Sequence, residues 1–240
     1  MPAGAMLRPP HLDLQFDGFG LDAFAVLEQL RRHPHIEEYR KQKTRIRSHI
    51  QEPFKRYRDD LVVNWVLPNR IGLETEKNVF SRLLKNDFGA GGCHHHFWMS
   101  FYRPGRSRLK DVQLAHSLWP EALYIAVYAG KPIPRLFKNI HSNILRRPGA
   151  FLDAVNPLLH LEQATLRVHY GGENRQIVSD PLVHLPDEFG RAKELAVFFA
   201  ISRDQVIEAG PRLIERALRS VRSLWPLYQY FLESSAPISE

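Results

Sequence analysis

Residues 85–108 hold most of what this chain could use for chemistry: a glycine-rich stretch, the single cysteine, three adjacent histidines, four aromatics after Phe88 and three arginines around a Pro-Gly pair. In an extended segment neighbouring side chains point to opposite faces. Cys93, His95, Phe97, Met99 and Phe101 therefore share one face, and His94, His96, Trp98, Ser100 and Tyr102 the other. The first set reads as core and the second as exposed or lining a cleft. His94 and His96 could chelate one ion, but a zinc site wants a third or fourth ligand. His116 or His169, each on another predicted strand, could supply it, which gives a metal-dependent hydrolase as one reading; no helical His-Glu-x-x-His spacing supports it.

A nucleophilic Cys93 would need a nearby base and a lowered pKa, and its inward register favours a buried structural thiol instead. Gly89-Ala-Gly-Gly92 lacks the Gly-Lys-Ser/Thr ending of a phosphate-binding Walker loop and reads as a flexible loop before a strand. The remaining combination is the most specific. Guanidinium groups pair with phosphates, and aromatic faces stack on unpaired bases. Arg103, Arg106 and Arg108 beside Trp98 and Tyr102, with His94 and His96 on the same face, thus suit nucleic acid. Arg45, Arg47 and Lys55 on a basic helix would add backbone contacts that raise affinity without reading sequence. No catalytic residue, metal ligand set or cofactor is assigned.

The elements that must position these groups follow from periodicity. Phe24, Leu27 and Leu30 recur at helical spacing from Leu21, with Arg31-Arg32 at the cationic end and Pro34 beyond. A second helix is predicted from Glu37 to Tyr57, kinked or broken at Pro53. Alternation over 94–103, over 112–118, and a Tyr, Ile and Val-rich run over 123–129 predict an antiparallel meander. Helical signals return over 134–146 and 148–156. A hairpin joins 165–170 to 176–178 across Gly171-Gly-Glu-Asn. The last third is predicted helical: 190–201, then a Ser202/Gln205 capping box, then 211–224, with Trp225-Pro226 ending the helix before an aromatic turn at 227–231. The expected fold class is α+β, a single antiparallel sheet (meander plus hairpin) flanked by N-terminal and C-terminal helices. Residues 1–18 read as a flexible leader, 19–233 as one domain and 234–240 as a flexible tail.

Composition narrows the class. With 44% hydrophobic and 25% charged residues, the 240-residue chain can bury a sizeable core. One cysteine excludes an internal disulfide framework, and no apolar run is long enough for a membrane span, so a cytoplasmic protein without membrane contact is expected. The net charge is +7, and Arg31–Arg58 alone holds ten Arg or Lys against three Glu, an excess equal to that of the whole chain. A pI near 9.6 also favours a polyanionic partner.

Ala23–Leu30, Tyr39-Arg-Lys and Glu52-Pro-Phe near the start, with Lys193-Glu-Leu-Ala, Arg203-Asp-Gln and Leu224-Trp-Pro-Leu-Tyr-Gln-Tyr-Phe-Leu near the end, resemble the conserved hypothetical proteins of the domain-of-unknown-function 2461 family. The likeness spans roughly residues 20–233. The middle departs from the commoner members at Glu76-Lys77-Asn78-Val79-Phe80 and Lys85-Asn86-Asp87. The run from Phe97 to Arg108, with Asp111-Val-Gln-Leu and Val127-Tyr-Ala-Gly130, is more similar to the divergent version found ahead of AAA-type ATPase modules related to methylation-dependent restriction systems. That resemblance implies architecture, an AAA-type ATPase as partner and a defence or restriction setting, and no activity.

The expected function is therefore a binding module that recognises nucleic acid, with modified DNA as one form of it. The alternatives are the histidine-based hydrolase and a protein-interaction domain using the Trp225–Phe231 aromatics. The oligomeric state is left open.

Overall fold

Hydrophobic periodicity places one apolar face on each strand and one apolar stripe on most helices, and these meet in a helix-on-sheet packing. The computed structural model describes residues 14–236; residues 1–13 of the expected leader and 237–240 of the expected tail lie outside the described residues. The elements run α1 (Leu21–Arg32), α2 (Ile36–Ile46), α3 (Glu52–Leu61), β1 (Phe97–Phe101), β2 (Gln113–Leu118), β3 (Ala122–Ala129), α4 (Pro134–Arg146), α5 (Pro148–His160), β4 (Thr165–Gly171), β5 (Asn174–Val178), β6 (Glu194–Ser202), α6 (Arg203–Ala209) and α7 (Leu213–Ser234). All six strands form one antiparallel sheet in the order β1-β2-β3-β6-β4-β5, as the α+β expectation has it.

Three local expectations need correction. Residues 190–201 were expected to be helical, from residues that favour helices such as Lys193, Glu194, Leu195 and Ala196. They instead form a 3₁₀ turn at Phe189–Arg191 and then β6, inserted between β3 and β4. Two open strand edges outweigh local propensity there, and Leu195, Val197 and Ile201 turn inward with period two. Pro53 sits at an interruption of its helix and not at its end. A π-helical segment, Arg47–Gln51, joins α2 to α3 and widens the turn just ahead of the proline, and a second, Val62–Val66, carries the helix past Tyr57. Pro226 likewise lies inside the 22-residue α7. It sits on the exposed side, while Leu224, Leu227, Tyr228 and Phe231 hold the helix to the core. Trp225 packs edge-on against Trp65, so these aromatics close the core. The Ser202/Gln205 capping box forms as expected.

The core lies between one face of the sheet and the helices, with α7 against β2 and β3, α5 against β4, and α3 against α7. Phe16, Phe19, Phe54 and Tyr57 form a cluster of edge-to-face and tilted rings that Phe54 extends to Phe97 on β1. The buried Asp60 carboxylate accepts the backbone N–H groups of Gln15 and Phe16, so residues 14–20 are packed although they lack regular structure. His116, inward on β2 and fully buried, shares a 2.8 Å hydrogen bond between its Nδ1 and the Tyr57 hydroxyl.

Burial lowers the His116 pKa to about 3 and so keeps the ring neutral in the fold. Between its unfolded value near 6.5 and about 3, the unfolded chain binds the proton that the folded chain excludes, so stability falls as the pH falls through that window. Denaturant titrations from pH 7 to pH 4 are expected to show this loss, with a shallower slope in His116→Gln. Tyr57→Phe leaves Nδ1 buried without its partner in either ring tautomer, and the same titrations at pH 7 should show a loss of about 1–3 kcal/mol.

Candidate functional site

Strand alternation that buries Leu114, Leu118, Ile125, Val127 and Val197 beneath the helices sends a second set of side chains to the opposite face. Register places them in rows. Trp98 faces Ser117, Tyr124 and Ala200 across the sheet; Ser100 is followed by Ala115, Ala126 and Phe198; Gln113 by Tyr128, Ala196, Arg167 and Ile177. Small residues thus occupy the middle, with large aromatic and basic ones around them. The result is a cleft of about 650 Å³, within the size range of small-ligand sites, and none of its lining residues belongs to an α-helix.

One end of the cleft is aromatic. Trp119, just after β2, donates its indole N–H to Ser117 Oγ at 2.7 Å and stacks on His96 with ring centroids 4.2 Å apart and planes 9° apart. Burial, with His94, His95 and Lys85 nearby, lowers the His96 pKa to about 4, so the ring stacks as a neutral aromatic near pH 7. Tyr124 stands edge-on to both Trp119 and Phe198. Burial raises its phenol pKa, and the negative charge of the nearby Glu121 carboxylate raises it further. Tyr128 is raised in the same way by burial and Glu194.

The other end is basic. Arg167 on β4 is half-buried with its guanidinium 5.8 Å from the centre of the Phe198 ring, and Arg175 on β5 lies beyond it. Among the described residues, no carboxylate comes within ion-pair distance of either arginine. Arg108 closes the β1 side, its guanidinium 4.5 Å over the Trp98 ring. It donates to the Asn78 carbonyl at 3.0 Å and to the Phe80 carbonyl, and Leu109 beside it lines the cleft.

Of the residues singled out from the sequence, Trp98 and His96 line this cleft, Arg108 lies over the Trp98 ring, and His94 stands beside His96 with ring centroids 5.1 Å apart. Tyr102 is buried, its hydroxyl donating to the Lys77 carbonyl. Arg103 makes a two-pronged ion pair with the buried Asp111, which also accepts the Arg103 backbone N–H at 3.0 Å. Arg106 is exposed at the turn tip. Arg45, Arg47 and Lys55 are ion-paired with Asp22 or Glu52, on the helix whose Phe54 and Tyr57 pack against the covered side of the sheet. The sheet therefore separates them from the cleft.

The other chemical candidates resolve differently. His116 faces the helices while His96 faces the cleft, and His169 sits with Glu194 in a further row of the open face, its Nε2 2.9 Å from the Gly172 carbonyl. Among the described residues no group of three or more His, Cys, Asp or Glu is placed to hold a metal ion. Cys93 is buried with its pKa raised by burial. The glycine loop folds around its own anion, since the Asp87 carboxylate accepts the N–H groups of Gly91 and Gly92 at 3.2 and 2.6 Å. A β-carbon at Gly92 would lie 2.6 Å from Asp87 Oδ2, so a larger residue there would have to displace that carboxylate.

Trp119, Tyr124, Tyr128, Phe198, Arg167 and Arg175 were not recognised from the sequence as site residues. Alternation in β2 and β3 already sorts Tyr124 and Tyr128 from the core face, whereas Phe198 is invisible while β6 is read as a helix. Comparison with protein-family models found no match, and comparison with curated proteins found no significant similarity.

The Arg103–Asp111 pair ties the start of the 103–111 turn to its end and so holds the wall that carries Arg108. Asp111→Ala is expected to lower stability by about 2 kcal/mol in denaturant titration, because it leaves a partly buried guanidinium without its acceptor. The same variant should show faster backbone hydrogen exchange over 103–110.

Proposed function

We propose that the open face of the sheet binds single-stranded nucleic acid, seating an unpaired base over the Ala115–Ala126 floor with its phosphate toward Arg167. The observation that carries this reading is Arg167 itself: a half-buried guanidinium without a carboxylate in ion-pair range, placed on an aromatic-walled cleft. A positive charge held there favours an anionic ligand, and the aromatic rings around a small-residue floor favour a planar one. A nucleotide unit combines both. Bases inside a duplex are already stacked and cannot reach a floor that lies between side chains, so an unpaired or extruded base is the form that fits. The basic net charge supplies long-range attraction to such a strand.

The expectation drawn from the Pro-Gly turn thereby moves from the arginines at its tip to the face that its Arg108 borders. The setting implied by the family resemblance belongs to the same proposal: recognition of unpaired or modified nucleic acid inside the cell, beside an AAA-type ATPase that does mechanical work. Described residues include no helix long and apolar enough to cross a membrane.

Fluorescence anisotropy with a labelled single strand and the matching duplex, across a salt series, tests the reading. Single strands should bind more tightly than duplex, with affinity falling as salt rises. Arg167→Ala should weaken single-strand binding about tenfold, from the loss of a charge-assisted contact, and flatten the salt dependence. Trp119→Ala should weaken it by a similar factor through lost stacking. Equal binding of duplex, salt-independent binding, or an unaffected Arg167→Ala protein would refute it.

A further inference from the structure

We infer that the base selected by this cleft is guanine, read by Glu121. The inference rests on the nucleic-acid reading and adds to it the identity of the base. Among the described residues, Glu121 is the sole acidic one lining the cleft. It lies in the β2–β3 turn beside the stacked Trp119 and His96, at the end away from Arg167 and Arg175. Register fixes that polarity: Tyr124 and Tyr128 on β3 are four residues apart, a distance of about 14 Å along a strand, and Arg167 shares the row of Tyr128. A nucleotide whose phosphate is held at the arginine end directs the far edge of its base toward the turn.

What waits there is an acceptor. The Tyr124 phenol lies close enough to the Glu121 carboxylate for that charge to raise its pKa, and Arg31 Nη1 makes a long ion pair of 3.9 Å with Glu121 Oε2. Half of the Glu121 side chain stays exposed, and an ionised carboxylate has lone pairs for further donors and no hydrogen to offer. The pairing edges of the bases differ in what they show to such a group. Adenine and cytosine each place a ring-nitrogen acceptor beside their amine, and thymine and uracil flank one N–H with two carbonyls. Guanine alone presents two adjacent donors, N1–H and the N2 amine, matching the two oxygens of a carboxylate in parallel hydrogen bonds. For the other bases an acceptor lone pair would be set against the carboxylate in a partly dehydrated site, which is a penalty as well as a lost contact.

Competition anisotropy on the full chain tests this with oligothymidylate carrying one central substitution, which avoids the self-assembly of guanine runs. The guanine strand should bind about tenfold more tightly than the all-thymine strand, as for a good bidentate base contact. Adenine and cytosine strands should resemble thymine. Replacing guanine by hypoxanthine, which keeps N1–H and lacks the N2 amine, should remove most of the advantage. In Glu121→Gln the ratio of guanine to thymine affinity should fall below about twofold, since the amide meets the N–H pair with a donor. A wild-type protein that binds all the strands equally, a hypoxanthine strand as tight as guanine, or a ratio that survives Glu121→Gln overturns the guanine assignment and leaves single-strand binding standing. Absence of binding to every strand removes the nucleic-acid reading and this inference with it.

Discussion

The hydrogen-bond ladders that β6 shares with β3 on one side and β4 on the other make one sheet out of a meander and a hairpin. Eight residue pairs join β3 to β6 and five join β4 to β6, and every property of the open face depends on their register. A slip of one residue in β6 would turn Phe198 into the core and Val197 into the cleft, because side chains alternate with period two. It would also uncouple the row that sets Tyr128 and Ala196 beside Arg167. The helices enforce the register from behind, since Leu195, Val197 and Ile201 fill the buried layer beneath them, whereas Ala196 and Phe198 line the cleft on the other face. Packing on the covered side thus determines which groups converge on the uncovered one.

The long helical stretch from Ile36 to Val66 plays the corresponding part for β1 and β2. Two π-helical segments each hold one more residue per turn than an α-helix would, and the apolar side of the stretch stays inward, against the sheet through Phe54 and Tyr57 and against α7 through Trp65. Tyr57 reaches His116, and Phe54 reaches Phe97, at the two strands that form the aromatic end of the cleft. Basic residues on the outward side of this stretch are answered by Asp17, Asp22, Glu52 and Asp59, so a large part of the positive charge seen in the composition is locally neutralised. The cleft arginines Arg167 and Arg175 come from β4 and β5, where the sequence shows no charge cluster.

That contrast explains what could be read from the chain. Strand alternation carries enough information to recognise β1 to β3 and to separate Trp98 and His96 from Phe97 and Met99. The β4–β5 hairpin is marked by its Gly-Gly turn, and the Ser202/Gln205 box marks the start of α6. These are local signals, and the structure repeats them. β6 is not local: Lys193 to Ala200 favours a helix by residue type, and only its position between two unfilled strand edges makes it a strand. The cleft inherits that difficulty. Its floor is assembled from small residues on β2, β3 and β6, and its basic end from β4 and β5. Small residues also carry little signal of their own; Ala115 and Ala126 matter because of what surrounds them. Density of reactive residues drew attention to 85–108, yet tertiary contacts engage much of it: Asp111 holds Arg103, Lys77 accepts from Tyr102, and Asp87 occupies the glycine loop.

The two walls of the cleft differ in mechanical character. The Trp98 side is braced by residues 79–81, which bond along the outer edge of β1, and by the hydrogen bonds of Arg108. The facing wall is β5, an edge strand with one neighbour and nearly all of its side chains exposed. Segments with so little buried surface open at a free energy far below that of global unfolding. The groove is therefore a fixed jaw opposed to a compliant one. A ligand that engages Arg175 and Ile177 ties down this weakly buried edge strand, and any ordering it imposes there counts against its affinity.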